Sequence, residues 1–474
     1  MSNTSQASAR INSLLDENSF VEIGAMVTAR STDFNMDPKA APADGVVTGY
    51  GLIDGSLVYV YSQDASVMGG SIGEMHAKKI VSLYKLAMKT GAPVIGLIDS
   101  TGLRLMEATD ALSSFGHIYK VQSMASGVIP QITAVFGNCG GGMALFPWMT
   151  DFTFIEKGKG RVFVNSPNAI EGNYEEKLDT SAAAFRSAEC GDVDVVCDEA
   201  EIYDSIRMLV SMLPENNEEN GAYEECSDDL NRQCTDLAAC IKDASAALSR
   251  IADNQMFFET KSEYAASIVT GFLRLNGITV GAVANRTEKY DEEGKVAEKY
   301  DTVLTPAACY KAAEFVEFCD AFDIPVITLT SVDGFKATRK SEKRIGNAAA
   351  KLAYAFANAT VPKINVITGN AFGSAYVVMN SKALGADMTF AWKNAAVGMM
   401  DAEKSGAMLF EKEENKDELI ASFKEMQTGI EAAARRGYVD TIIDAADTRK
   451  YIIGALEMLF TKREDRPGRK HGAI

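Results

Sequence analysis

The stretch VIPQITAVFGNCGGGMA, residues 128–144, decides the fold, because the chain contains it twice: TVPKINVITGNAFGSAY stands at 360–376. A second pair, APVIGLIDSTGLR (92–104) and IPVITLTSVDGFK (324–336), precedes it in each copy. Pro93 matches Pro325, Gly102 matches Gly334, Pro130 matches Pro362, Gly137 matches Gly369 and Gly141 matches Gly373, always at an offset of 232 residues. A constant offset of that length signals a duplicated domain, since solenoid repeats are far shorter. Each copy reads as an apolar strand, a loop with an Asx/Ser-x-x-Gly pattern, a helix, a second strand, and a Gly-rich turn that opens another helix. Strands alternating with helices give an α/β architecture whose sheets are covered by helices.

A chain of 474 residues has room for two such units. The acidic, turn-rich stretch around 214–235, PENNEENGAYEECSDDLNRQC, is the natural linker, which puts the domains at 1–230 and 231–474. With 47 basic and 65 acidic residues the net charge is −18, so neither nucleic acid nor an anionic membrane has electrostatic support as a partner. Eight scattered cysteines without a CxxC pair fit reduced thiols. The N-terminus MSNTSQASARINSLLDENSF has no apolar h-region, and no apolar run approaches the ~18 residues of a membrane span. A soluble cytoplasmic protein is the expectation.

YKLAMKTGAPV (84–94) contains Ala87-Met88-Lys89, three letters of the biotin-acceptor signature Ala-Met-Lys-Met. The preceding residues have helical spacing, Gly91 suits a helix C-terminus, and a buried strand follows. Lys89 therefore reads as a last-turn cation, not a biotin carrier. The three histidines, His76, His117 and His471, provide neither a metal site nor a triad. His76 and His117 read as structural polar residues, so the base of any reaction here need not be a side chain.

GNCGGGMALFPWM places Gly140-Gly141-Gly142 between a strand and a helix start. The turn has three readings: a tight connection, a phosphate cradle, or an oxyanion hole of paired amides. It lacks GxGxxG and GxxxxGK[ST], which disfavours nucleotide binding. Its recurrence at Gly373-Ser374-Ala375, each time one strand after a glycine loop (Gly102-Leu103 and Gly334-Phe335), favours two two-donor holes.

These residues resemble the carboxyltransferase (β) subunit of biotin-dependent acyl-CoA carboxylases, of the propionyl-CoA carboxylase type, in the crotonase-like superfamily. The likeness runs nearly end to end. It includes RINSLLDENSFVEI (10–23), QDASVMGGSIGEMHAKKI (63–80), GNCGGGMALFPWMTDFTFIEK (137–157) and MFFETKSEYAASIVTGFLRLNG (256–277). It continues through VEFCDAFDIPVITL (316–329), LAYAFANATVPKINVIT (352–368), AAARRGYVDTIID (432–444), ALEMLFTKRE (455–464) and KHG (470–472).

The resemblance implies two tandem crotonase-like domains, the first binding acyl-CoA and the second carboxybiotin, paired across a dimer interface in a hexamer. Amides at Gly141 and Gly142 would hold the thioester oxygen, and those at Ser374 and Ala375 the biotin ureido oxygen. Gly102, Leu103, Gly140, Gly334, Phe335, Gly373 and Val377 would line the substrate sites, and no metal is implied. Biotin would arrive on a biotin carboxyl carrier protein loaded by a biotin carboxylase, or the chain would serve beside the membrane subunit of a decarboxylase. The implied reaction moves a carboxyl group from carboxybiotin to the α-carbon of an acyl-CoA. The same half-reaction reversed, in a decarboxylase or transcarboxylase, and a non-catalytic acyl-CoA-binding scaffold are the alternatives.

The second half departs from the family pattern. Where the family has Pro-Gly-Phe and then Gln-Glu, this chain reads VDGFKATRKSEKRIGNAAAK, with Asp333 for the proline. Lys336, Arg339, Lys340, Lys343 and Arg344 crowd nine positions there, a solvated helix face by default and otherwise a phosphate or partner contact. Ser374 replaces a glycine, which an outward amide tolerates at negative φ. Val377 stands where propionyl-type members have Asp, which weakens the case for propionyl-CoA.

Overall fold

The computed structural model describes residues 5–30, 41–219, 223–291 and 293–467. His471, the KHG motif at 470–472 and residues 220–222 of the expected linker lie outside the described residues.

The chain divides into two compact units, 1–222 and 223–474. The segment 223–230 goes with the second unit because Tyr223 bridges to Ile278 and the Glu224 N–H donates to the Gly277 carbonyl at 2.9 Å.

The first sheet runs in the order Val21–Glu22, Val46–Ile53, Ser56–Gln63, Val94–Ser100, Gln131–Gly140, Phe152–Glu156, Val195–Cys197. The second runs Phe257–Thr260, Ile268–Leu275, Ile278–Asn285, Val326–Val332, Lys363–Phe372, Met388–Trp392, Thr441–Ile443. In each, the first three strands are antiparallel neighbours and all later pairs are parallel. The copies agree in register. Val94 faces Gln131 where Val326 faces Lys363, and the ladder slips after Ile98 where its copy slips after Thr330.

The central strands are buried on both faces, as parallel strands under helices must be. Tyr61, Ile80, Tyr84, Ile98, Phe115 and Phe146 fill the first core, and Leu248, Leu273, Ile327, Ile364, Trp392 and Ile452 the second. Lys89 sits in the last turn of the helix Glu74–Thr90, which Gly91 ends at φ 66°.

Candidate active site

The two glycine-rich turns are built alike. The strand Gln131–Gly140 leads into a single 3-10 turn, Gly141–Ala144, and the strand Lys363–Phe372 leads into the helix Gly373–Val378. The chain reverses at Gly141 with φ +64° and at Gly373 with φ +62°, a left-handed conformation that glycine adopts without strain. The surroundings differ. A methyl group on Gly141 would meet nothing within 4 Å, whereas on Gly373 it would lie 3.2 Å from the Met399 carbonyl oxygen.

Gly141 and Gly142 open their turn, and Gly373, Ser374 and Ala375 open their helix, at positions whose N–H groups have no carbonyl one turn back. Ser374 keeps negative φ, so serine carries no backbone strain there. Gly142 and Ser374 are exposed, Gly141 and Gly373 half-buried, and Met143 and Ala375 buried. By the 232-residue offset, Ser374 and Ala375 correspond to Gly142 and Met143. The donor pairs expected in the two halves, Gly141–Gly142 and Ser374–Ala375, are thus one residue out of step. Gly142 and Ser374 are the outward position common to both.

The preceding loops touch the turns differently. A methyl group on Gly102, at φ +94°, would stand 3.1 Å from the Gly140 carbonyl oxygen, so loop and turn are in contact. The Gly102 N–H is already engaged, donating to Ser100 Oγ at 3.1 Å, and its carbonyl accepts from Ile72. Leu103 forms a bridge with Ile72 that uses the Arg104 N–H rather than its own. The Gly102 N–H is thus engaged within its own loop, while the bridge leaves the Leu103 N–H unused.

In the second unit Gly334–Phe335 pairs with Val303–Leu304 and packs against Gly373–Val378. Asp333 fixes this loop: its carboxylate accepts from Asn370 Nδ2 at 2.8 Å and from the Thr302 hydroxyl.

Beside the second turn opens a cavity of about 920 Å³, walled by Gly373, Ser374, Val377, Met399, Met408 and Tyr438 among others. Its walls are mostly apolar, the usual character of an organic ligand site. Ala375 lies beneath Ser374 and does not line it.

Three features have no signal in the sequence. The Tyr119 hydroxyl donates to the Gly142 carbonyl at 2.5 Å and so ties down the Gly141–Ala144 turn. Its counterpart at the 232-residue offset is Lys351, so no repeat marks it. Arg104, directly after Leu103, is buried, paired with Asp44 and Glu107, and donates to the Ser71 carbonyl at 2.6 Å, anchoring the Gly102 loop. Met399 and Met408 line the cavity although their apolar letters read as core.

His76 is structural. Its N–H donates to Asp44 Oδ2 at 2.6 Å, Nδ1 lies 2.9 Å from the Asp44 carbonyl, and Nε2 lies 3.2 Å from Gln63 Nε2. Burial, with the Arg104 charge, pushes its pKa well below the usual histidine range, so the ring is neutral at pH 7.

Residues 3–474 match the carboxyl transferase domain family. The methylmalonyl-CoA decarboxylase subunit alpha of Veillonella parvula is 38% identical over 480 residues, covering 99% of this chain and 92% of that protein. The mitochondrial propionyl-CoA carboxylase beta chain of Sus scrofa is 39% identical over 490 residues, covering 99% of this chain and 88% of that one. The structure of a transcarboxylase 12S hexamer with methylmalonyl-coenzyme A bound superposes with a TM-score of 0.90 at 37% identity, covering 98% of this chain and 92% of that chain. The chain belongs to the carboxyl transferase family, as an enzyme of two tandem crotonase-like domains.

Proposed function

We propose that the first unit binds an acyl-CoA, that the second receives carboxybiotin, and that a carboxyl group passes between the biotin and the acyl α-carbon. The observation that carries this reading is the pair of turns at Gly141 and Gly373, each entered by a glycine at left-handed φ and followed by an exposed residue, Gly142 or Ser374, whose N–H has no carbonyl one turn back.

Carboxyl transfer to the α-carbon builds negative charge on the thioester oxygen when that carbon loses its proton. The N–H groups of Gly141 and Gly142 receive that charge at fixed positions, with no reorganisation at the moment of reaction. Tyr119 holds the turn in place, and Gly102, Leu103 and Gly140 form its near wall. Ser374, with Ala375 behind it, offers amides to the ureido oxygen, while Gly373, Val377, Gly334 and Phe335 bound the space around it. That space fits biotin: amides at its edge and a largely apolar cavity for the bicyclic ring. Biotin supplies a carboxyl group in its loaded form and a basic ureido group once discharged. The enclosed, neutral His76 accords with a base supplied from outside the chain.

The reaction runs in either direction through one transition state, which matches the presence of a decarboxylase and a carboxylase among the relatives. We extend the hexamer of the related 12S structure to this chain, with biotin on a separate carrier protein. That carrier is loaded by a biotin carboxylase, or, in a decarboxylase complex, is loaded by this chain and discharged at a membrane subunit. A cytoplasmic location accords with eight free thiols.

The test is decarboxylation of malonyl-CoA and methylmalonyl-CoA by the pure protein with free biotin. Biotin-dependent turnover of at least one thioester is expected. Turnover of neither, with the fold intact, would make the chain a scaffold.

A further inference from the structure

Of the five cations after Phe335, only Lys336 is paired, with Asp301. Arg339, Lys340, Lys343 and Arg344 are exposed, and among the described residues no carboxylate pairs with any of them. Single exposed cations without an ion pair, such as Lys85 and Lys120, occur elsewhere among the described residues; what sets this segment apart is four of them within six positions, in a chain with an excess of acidic residues. Glu342 is the one acidic residue within 336–344.

The placement is also unfavourable locally. Lys343 and Arg344 directly precede the 14-residue helix Ile345–Asn358, whose first turn holds no acidic residue. Two positive charges thus lie against the positive end of a helix. Stability does not select this arrangement, and such local conflicts concentrate where function demands them. The cluster flanks the second turn, because Gly334–Phe335 and Ile345–Asn358 both pack against Gly373–Val378.

We propose that Arg339, Lys340, Lys343 and Arg344 form an electrostatic landing site for an acidic carrier domain that delivers biotin to the Ser374 turn. This rests on the reading of that turn as the biotin site. Four like charges beside the turn raise the encounter rate with an acidic partner, an effect that salt screens within about 8 Å at physiological ionic strength.

The test uses the full chain and follows thioester decarboxylation with three acceptors: free biotin, a biotinyl-lysine peptide flanked by four glutamates, and its glutamine counterpart. At low salt the wild type is expected to show a KM about tenfold lower for the glutamate peptide, and high salt to erase the preference. R339E/K340E/K343E/R344E should reverse the preference, and R339Q/K340Q/K343Q/R344Q should abolish it. Both should leave the free-biotin rate and the acyl-CoA KM unchanged. Equal KM values for the two peptides with the wild type would overturn the proposal. So would a raised acyl-CoA KM in the variants, which would make the cluster a contact for coenzyme A phosphates. Activity with free biotin but indifference to peptide charge removes this inference alone. Inactivity with free biotin removes the biotin-site reading along with it.

Discussion

Lys79 and Lys311, 232 residues apart, do the same work in the two units: each sends a buried ammonium from its helix to backbone carbonyls at the start of a hairpin strand. Lys79 donates to the Ala43 carbonyl at 3.1 Å and to that of Val46. Lys311 donates to the carbonyls of Lys261, Tyr264 and Ile268 at 2.8, 2.9 and 2.9 Å. The duplication preserved a costly buried charge, which argues that these carbonyls need a donor.

Lys79→Met should destabilise the protein by about 2–3 kcal/mol at pH 7, because two buried carbonyls lose their partner. Burial lowers the Lys79 pKa to about 8, against 10.5 for the ordinary side chain. Between those values the unfolded state binds the extra proton, so this group adds stability as pH rises through the window. The gap between wild type and variant should widen by up to about 3 kcal/mol from pH 7.5 to 10.5, at ~1.4 kcal/mol per unit. Urea midpoints at several pH values measure it. A gap independent of pH would place the Lys79 pKa in the ordinary range.

Tyr119→Phe removes the donor to the exposed Gly142 carbonyl, which water then solvates. The melting temperature should stay nearly unchanged while kcat for acyl-CoA falls about tenfold, an effect of ~1.4 kcal/mol. Unchanged kcat would reduce Tyr119 to packing.

Gly141→Ala and Gly373→Ala both force an alanine to positive φ, at about 1–2 kcal/mol. Only the second also meets a carbonyl, that of Met399. Gly373→Ala should therefore be the less stable by calorimetry. Gly141→Ala should impair acyl-CoA turnover and Gly373→Ala the response to biotin concentration. Identical kinetic defects would argue against a division of labour between the turns.

Asp333→Ala frees the loop from Asn370 and Thr302. The KM for biotin should rise several-fold with the acyl-CoA KM unchanged, as befits a positioning residue. Restored affinity in Asp333→Asn, which retains an acceptor, would confirm the hydrogen bond as the cause.

The duplication, the alternation of strands and helices and the paired glycine turns were legible because local sequence dictates them: alternating apolar runs, and glycine where φ is positive; the order of strands within each sheet was not. The Arg104–Asp44 pair was not, since it joins residues 60 positions apart through tertiary packing. Tyr119 escaped because its repeat partner is Lys351. Met399 and Met408 escaped because apolar residues of a cavity wall and of a core share one alphabet. The donor pairs that the family pattern implies for the two halves are one residue out of step by the 232-residue offset itself, and the burial of Met143 and Ala375 beside the exposed Gly142 and Ser374 is what the sequence does not show.

The central claim, that outward backbone amides do the chemistry, is tested by Gly142→Pro and Ser374→Pro. Proline in the first turn of a helix is tolerated because the lost N–H has no carbonyl there, so each variant deletes one amide. At Gly142 the added carbon also lies 3.0 Å from the Tyr119 hydroxyl, and Gly142→Ala, which keeps the amide, controls for that contact. Biotin-dependent decarboxylation should fall at least about 100-fold in both, with melting temperatures near the wild type. Wild-type kcat in either folded variant would contradict the account.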